Sequence, residues 1–195
     1  GNINSQPINK AICSIVDYFL NLYQSKKLIT KVVIEVFEDI ITVSDDGSSL
    51  PFDKPAPEVE YSSLAEYEIV NQRFVSINSN SASQTQLIGN NLGLAIINSA
   101  SEFIKVKSSN GSFIWSQVFG KGKVLARVNM EKSVASIGTQ FEIKLDKEIF
   151  KTYKADIVLL RKTLFELAHF NPGLIVEFQE ERFVAPNGLL DLASI

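Results

Sequence analysis

The sequence predicts an α+β fold, a two-layer α/β sandwich in which helices cover one face of a mixed, mostly antiparallel sheet. Three observations carry this. Ile8, Ile12, Ile15, Val16, Phe19, Leu20 and Tyr23 recur at three- and four-residue spacing, and so do the apolar residues from Ile157 to Phe170, the period of a helix with one buried stripe. Phe103 to Lys107 and Phe113 to Phe119 flank an Asn110-Gly111 pair, the short-range signal for an antiparallel hairpin. Ile41 and Val43 alternate with Thr42 and Ser44, as a strand with one buried side requires. At 195 residues with 45% apolar content the chain can fill one core, so a single domain over 1–195 is expected.

In chain order, residues 1–6 are expected to form a frayed tail before Pro7. The first helix runs from Ile8 to Tyr23 and is poor in acids: between Pro7 and Lys27 only Asp17 is acidic. Strands at Lys31 to Phe37 and Asp39 to Ser44 follow, joined at Glu38 and Asp39. The second delivers Asp45-Asp46-Gly47 to a tight turn. An Asp-Gly hairpin is the ordinary reading of such a triplet. Leu50-Pro51-Phe52-Asp53-Lys54-Pro55 makes a poor partner strand, however, so the turn opens into a loop and the acids face a cleft.

Ser62 is placed to cap a helix over Leu64 to Val70. Asn78 to Gln86 is too polar to build a core and lies in a loop over 76–88 that serves as a lid or a linker; periodic structure on both sides favours a lid. Gly89-Asn90-Asn91-Leu92-Gly93 runs into a helix expected from Leu92 to Ser101. Its glycines either expose backbone N–H groups to an anion such as phosphate or permit close packing, and both readings stand. Lys123 to Val128 and Thr139 to Lys144 add strands. Asn171-Pro172-Gly173 stops the last long helix, and Leu174 to Phe178 and Arg182 to Val184 close the sheet. Trp115 reads as a core or rim residue.

A net charge of -3 without a basic run argues against autonomous DNA binding, which needs clustered Lys and Arg to release counterions. No apolar stretch is long enough for a membrane span and none resembles a signal segment, so a cytoplasmic protein is expected. The single cysteine, Cys13, cannot form an internal disulfide and sits among Ala11, Ile12 and Ile15 as a small core residue. His169 is the only histidine, which excludes a zinc site or a Cys-His or Ser-His pair.

The first helix, the Asp45-Asp46-Gly47 turn, the polar loop, the glycine loop before a helix and the Gly138-Thr139 pair, in this order, resemble the ATP-binding domain of the B subunit of DNA gyrase. That domain is a member of the GHKL (Bergerat) group of histidine-kinase-like ATPase folds, with mismatch-repair and chaperone ATPases. The resemblance runs from about Ala11 to about Gly188. It implies an adenine-binding carboxylate at Asp45, supported by Gly47 and by Thr139 beside the adenine, with Asp17 on the first helix and Gly93 in the phosphate loop.

Other family positions are substituted. The general base falls on Ser14, the magnesium-binding Asn on Tyr18, and a later Asp-Glu pair on Asn21 and Leu22. The Arg after Asp-Asp-Gly falls on Ser48 and the next glycine on Ser49, and two phosphate-loop glycines fall on Ile88 and Asn91, with Gly89 displaced by one. The resemblance therefore implies a degenerate domain that binds ATP or ADP weakly, without magnesium and without hydrolysis, and is linked to DNA topology through gyrase- or topoisomerase-like subunits or another protein. A protein-interaction module that has lost nucleotide binding altogether, its cleft filled by Tyr18, Leu22 and Ile88, is the alternative. Because the family's Glu and Arg at Leu22 and Ser48 form a salt bridge, their joint loss leads to the expectation that Leu22 and Ser48 face each other across the cleft mouth.

Overall fold

A computed structural model describes residues 8–14, 16, 17, 20, 29–47, 49–71, 94–150 and 154–192. The described residues of the first helix, α1, are 8–14, 16, 17 and 20. After it come β1 (Lys31–Phe37), β2 (Ile40–Asp45), α2 (Leu64–Val70), α3 (Leu94–Ser99), β3 (Ser101–Ser109), β4 (Phe113–Gly120), β5 (Lys123–Lys132) and β6 (Gly138–Leu145). The chain closes with α4 (Ile157–Phe170), β7 (Ile175–Phe178), β8 (Glu181–Phe183) and α5 (Leu189–Leu192).

The strands form one sheet in the order β5-β4-β3-β6-β2-β1-β7-β8. Every described pairing is antiparallel except β1 with β7, which is parallel. The result is the mixed, mostly antiparallel sheet the sequence predicts.

Register carries the apolar alternation across the sheet. Phe119, Ile104, Ile143 and Ile41 lie in one row, and Val106, Phe141, Val43, Ile34 and Phe178 in the next. All of these are buried, and they join Ile12 and Val16 of α1, Ala65 and Ile69 of α2, Ile97 of α3 and Leu160, Leu164 and Ala168 of α4 in one core. The opposite face carries Lys31, Glu35, Lys105, Lys107 and Glu142 and is half-buried to exposed. Among the described residues one face of the sheet is thus covered by helices and the other is open, the layer arrangement that period-2 strands beside period-3.6 helices require.

α1 is fixed to α4 by Asn9, whose amide donates to the Asp156 carbonyl at 3.0 Å and accepts from the Asp156 N–H at 3.0 Å. Asp156 also caps α4, accepting from the Leu159 N–H.

Strand ends shift from the expected positions, most at β5, which runs to Lys132 and not to Val128, and two helix ends differ as well. The N-cap of α2 is Ser63, whose hydroxyl accepts from the Glu66 N–H; Ser62 instead donates its hydroxyl to the Glu66 carboxylate at 2.6 Å. Adjacent serines offer the same local chemistry, and burial of Glu66 against Gln117 selects between them. The helix expected to reach Ser101 ends at Ser99, because Ser101 pairs with Leu145 and begins β3. The expected start of that helix at Leu92, the tail 1–6 and the loop over 76–88 lie outside the described residues. Asn110-Gly111 does link β3 to β4, in a three-residue connection with Gly111 at φ 89° and the Asn110 side chain accepting from the Ser112 and Phe113 N–H groups.

Candidate functional site

β2 carries Asp45 to the end of the sheet. Asp45 pairs with Val32 of β1, which puts its side chain on the helix-covered face. The Gly47 N–H donates to one carboxylate oxygen at 2.9 Å, a side-chain turn that shapes the chain as it leaves the strand. The other oxygen accepts from the Thr139 N–H at 3.2 Å. Thr139 in turn is opposite Ser108 of β3, and their hydroxyls lie 2.9 Å apart. Ser108 Oγ also accepts from the Leu50 N–H at 2.9 Å, tying down the loop that follows the turn. That loop contains no strand, as expected from its prolines, and delivers Phe52 onto Trp115 with the rings parallel and 6.1 Å apart. Trp115 is fully buried and therefore a core residue.

Asp45, Thr139, Ser108 and Trp115 thus follow one another across β2, β6, β3 and β4 on the inner face, ending the apolar rows with a polar one. Gly138 makes the approach of β6 to β2 feasible: a Cβ there would stand 2.6 Å from the Asp45 carbonyl oxygen.

Asp46 does different work. Its carboxylate accepts from the Thr30 and Lys31 N–H groups, both at 2.8 Å, and from the Thr30 hydroxyl. Burial pulls its pKa upward, but the Thr30 hydroxyl and the backbone N–H groups of Thr30 and Lys31 outweigh it, and the carboxyl is held below its ordinary value. The first acid therefore faces the helix-covered side and the second clamps the start of β1.

On α1, Ser14 is buried and Asp17 half-buried, where burial raises the Asp17 pKa. Burial first, and the nearby Asp17 charge second, push the Cys13 thiol up to about 11, so Cys13 is no nucleophile near neutral pH. Tyr18, Asn21, Leu22, Ser48, Ile88, Gly89, Asn91 and Gly93 lie outside the described residues. Ser49 is exposed.

Glu35 and Glu38 lie away from Asp45. Glu35 pairs with Thr42 on the exposed face of the sheet. Glu38 sits at φ 53° in the turn at the opposite end of the β1–β2 hairpin from Asp45, a strand length of roughly 20 Å at about 3.3 Å per residue. His169 is buried, its Nδ1 2.8 Å from the Phe165 carbonyl, a helix-internal contact. Among the described residues no three His, Cys, Asp or Glu gather as a metal site, and no helix is long and apolar enough to cross a membrane.

Chemically, the site offers a carboxylate acceptor beside a threonine hydroxyl at the end of a rigid sheet, suited to a ligand edge that presents an amino donor. Ser108 escaped the sequence reading. Its signal was a serine on the buried parity of β3, where Ile104 and Val106 predict another apolar residue.

No family model matches the chain. It is 28% identical over 186 residues to the B subunit of DNA topoisomerase 4 from Borreliella burgdorferi, covering 94% of this chain and 28% of that protein. It is 29% identical over 158 residues to the B subunit of DNA gyrase from Clostridium acetobutylicum, covering 76% of this chain and 24% of that protein. In fold it is similar, with a TM-score of 0.78 and 20% identity, to the 43K ATPase domain of Thermus thermophilus gyrase B in complex with an aminocoumarin; the match covers 97% of this chain and 49% of that one. Over most of its length the chain is therefore similar to B subunits of gyrase and topoisomerase IV, and its α+β sandwich shares the fold of the gyrase B ATPase domain. The chain spans 28% of the topoisomerase 4 protein and 24% of the gyrase protein.

Proposed function

We propose that the chain is a degenerate gyrase-B-like nucleotide-binding domain that binds adenine nucleotide weakly and does not hydrolyse it. The observation that supports this reading is the joining of Asp45 to Thr139 across β2 and β6 on the helix-covered face. The adenine amino group donates to Asp45, and the Thr139 hydroxyl lies beside the ring. Gly47, Asp17 and Gly93 complete the binding positions carried over from the resemblance.

Hydrolysis is absent because Ser14 stands at the base position. A serine hydroxyl takes no proton near neutral pH without a base of its own, and loss of a general base typically removes about 10²–10⁴-fold in rate. Tyr18 at the magnesium position is a poor ligand for a hard cation that prefers carboxylates and water. Binding energy then resides in the adenine, and added phosphates contribute little. The domain acts as one unit over 1–195 within a cytoplasmic assembly related to DNA topology, its partner a gyrase- or topoisomerase-like subunit or another protein.

Calorimetric titration with adenosine, ADP and a non-hydrolysable ATP analogue, on wild type and Asp45→Asn, tests the reading. The three ligands should bind within about tenfold of one another, a spread of about 1.4 kcal/mol, and Asp45→Asn should weaken all three. A phosphate-release assay should give no signal above background. Tight triphosphate-selective binding, or turnover that Asp45→Asn abolishes, would overturn it. Absence of binding by all three would favour the protein-interaction module.

A further inference from the structure

The open face of the sheet carries a groove unconnected with Asp45. It has a volume of about 380 Å³ and crosses four strands, from Gln140 and Glu142 of β6 over Lys105 and Lys107 of β3 and Ser116 of β4 to Arg127 and Asn129 of β5. Its shape has a cause in the register. Asn129 pairs with Ser116 and Ala126 with Val118, so Arg127 and Val128 together oppose Gln117; Phe119 then pairs with Val124, leaving Leu125 extra. Two bulges in one edge strand increase its twist and bend it, and a bulge re-aims the side chain it carries. Arg127, carried by the first bulge, lines the groove. Lys107 on β3 and Arg127 on β5 are two strand spacings apart, about 9.5 Å, so an extended peptide lying along β4 passes between the two cations.

The charge in the groove is lopsided. Lys105 pairs with Glu142 at 2.7 Å. Lys107 and Arg127 are exposed, and among the described residues neither has an acidic partner. A cluster of cations costs repulsion unless a ligand offsets it, and the complementary ligand is anionic. Among the described residues no aromatic side chain lines the groove for a base to stack on, a carboxylate stands at its border, and three cations release few counterions. These features disfavour a nucleic acid.

We propose that this groove is a docking site for an extended acidic segment of a protein partner, whose carboxylates pair with Lys107 and Arg127. The interaction lies on the face opposite the nucleotide position and does not depend on it.

The probe is a fluorescein-labelled hexaglutamate peptide followed by anisotropy at low salt. Wild type should bind it, with affinity falling as salt rises, and should not bind a labelled hexalysine peptide. Lys107→Gln with Arg127→Gln should weaken binding about tenfold or more, whereas Lys162→Gln on α4, an exposed cation outside the groove, should leave it unchanged. Glu142→Gln should tighten binding, because it removes the groove's own acid. Circular dichroism melts identify any variant whose fold has changed, and the gain expected for Glu142→Gln is a result that misfolding cannot produce. Absence of hexaglutamate binding, equal losses for the α4 variant, or no gain from Glu142→Gln would overturn the proposal. So would a single-stranded DNA oligonucleotide that outcompetes hexaglutamate at the same residues.

Discussion

At the scale of single residues, two positions around the Asp-Asp-Gly turn make testable demands. Gly138 is needed for space: with its Cβ 2.6 Å from the Asp45 carbonyl oxygen, Gly138→Ala must push β6 away from β2. Overpacking of this kind costs about 1–3 kcal/mol, measurable by urea unfolding. Gly120 provides a control, because an added Cβ there meets the Glu102 carbonyl at 2.4 Å, at the far end of β4. Both alanine variants should lose stability, but only Gly138→Ala should also weaken adenosine binding. Equal effects on binding would separate the Asp45–Thr139 geometry from ligand recognition. Asp46 sets a pH dependence. A carboxyl with a folded pKa below its unfolded value stabilises the fold above the unfolded pKa, and that contribution is lost as pH falls through the folded value. Asp46→Asn should therefore destabilise the protein at neutral pH, and the gap from wild type should close in acid below the ordinary carboxylate range. A gap constant with pH would mean that Asp46 acts by shape alone.

At the scale of elements, α2 is held by a polar network as much as by its apolar face. The Glu66 carboxylate is buried and accepts from the Ser62 hydroxyl at 2.6 Å and the Gln117 amide at 2.7 Å, while Ser63 caps the helix. Ser63→Ala should cost about 1 kcal/mol by loss of the cap. Glu66→Leu strands the Gln117 amide and Gln117→Leu strands part of a buried carboxylate. The double variant leaves neither, so its loss in denaturant unfolding should be smaller than the sum of the singles. Strict additivity would show that the two groups do not act as a unit. The same element shows where a sequence stops being legible. Helical and strand periods are local, so α4 and the hairpin strands could be read from neighbouring residues, and the cap of α2 was missed by a single serine because both serines bond to Glu66, whose carboxylate is held by Gln117 of β4. Ser108 was not legible, because its role depends on β3 lying beside β6 with Ser108 opposite Thr139, a pairing across 31 residues. The division of labour between Asp45 and Asp46 was half legible: strand alternation continues Ile41 and Val43 to Asp45 on the inner face, but nothing in the sequence places Thr30 under Asp46.

At the scale of the whole molecule, the parallel β1–β7 pair decides how far cooperativity extends. β7 arrives from the end of the chain and lies beside β1, so the sheet is continuous from β5 to β8, and α4 packs on β7 against the same core that holds α1. The protein carries one tryptophan, Trp115 on β4, and four strands separate β4 from β7. At about 4.8 Å per strand spacing, the fluorophore lies about 24 Å from β7. If 1–195 is one domain, a lesion at the α4 end must be felt at Trp115. Leu164 on the inner side of α4 is fully buried, and Leu164→Ala should cost about 2–5 kcal/mol by leaving a cavity. In urea, the midpoint from Trp115 fluorescence should fall by the same amount as the midpoint from far-ultraviolet circular dichroism, and the two curves should superpose in wild type and variant alike. A Trp115 transition unmoved by Leu164→Ala would mean that β7, β8 and α4 open independently of the sheet that carries Asp45, and the single-domain reading would fail.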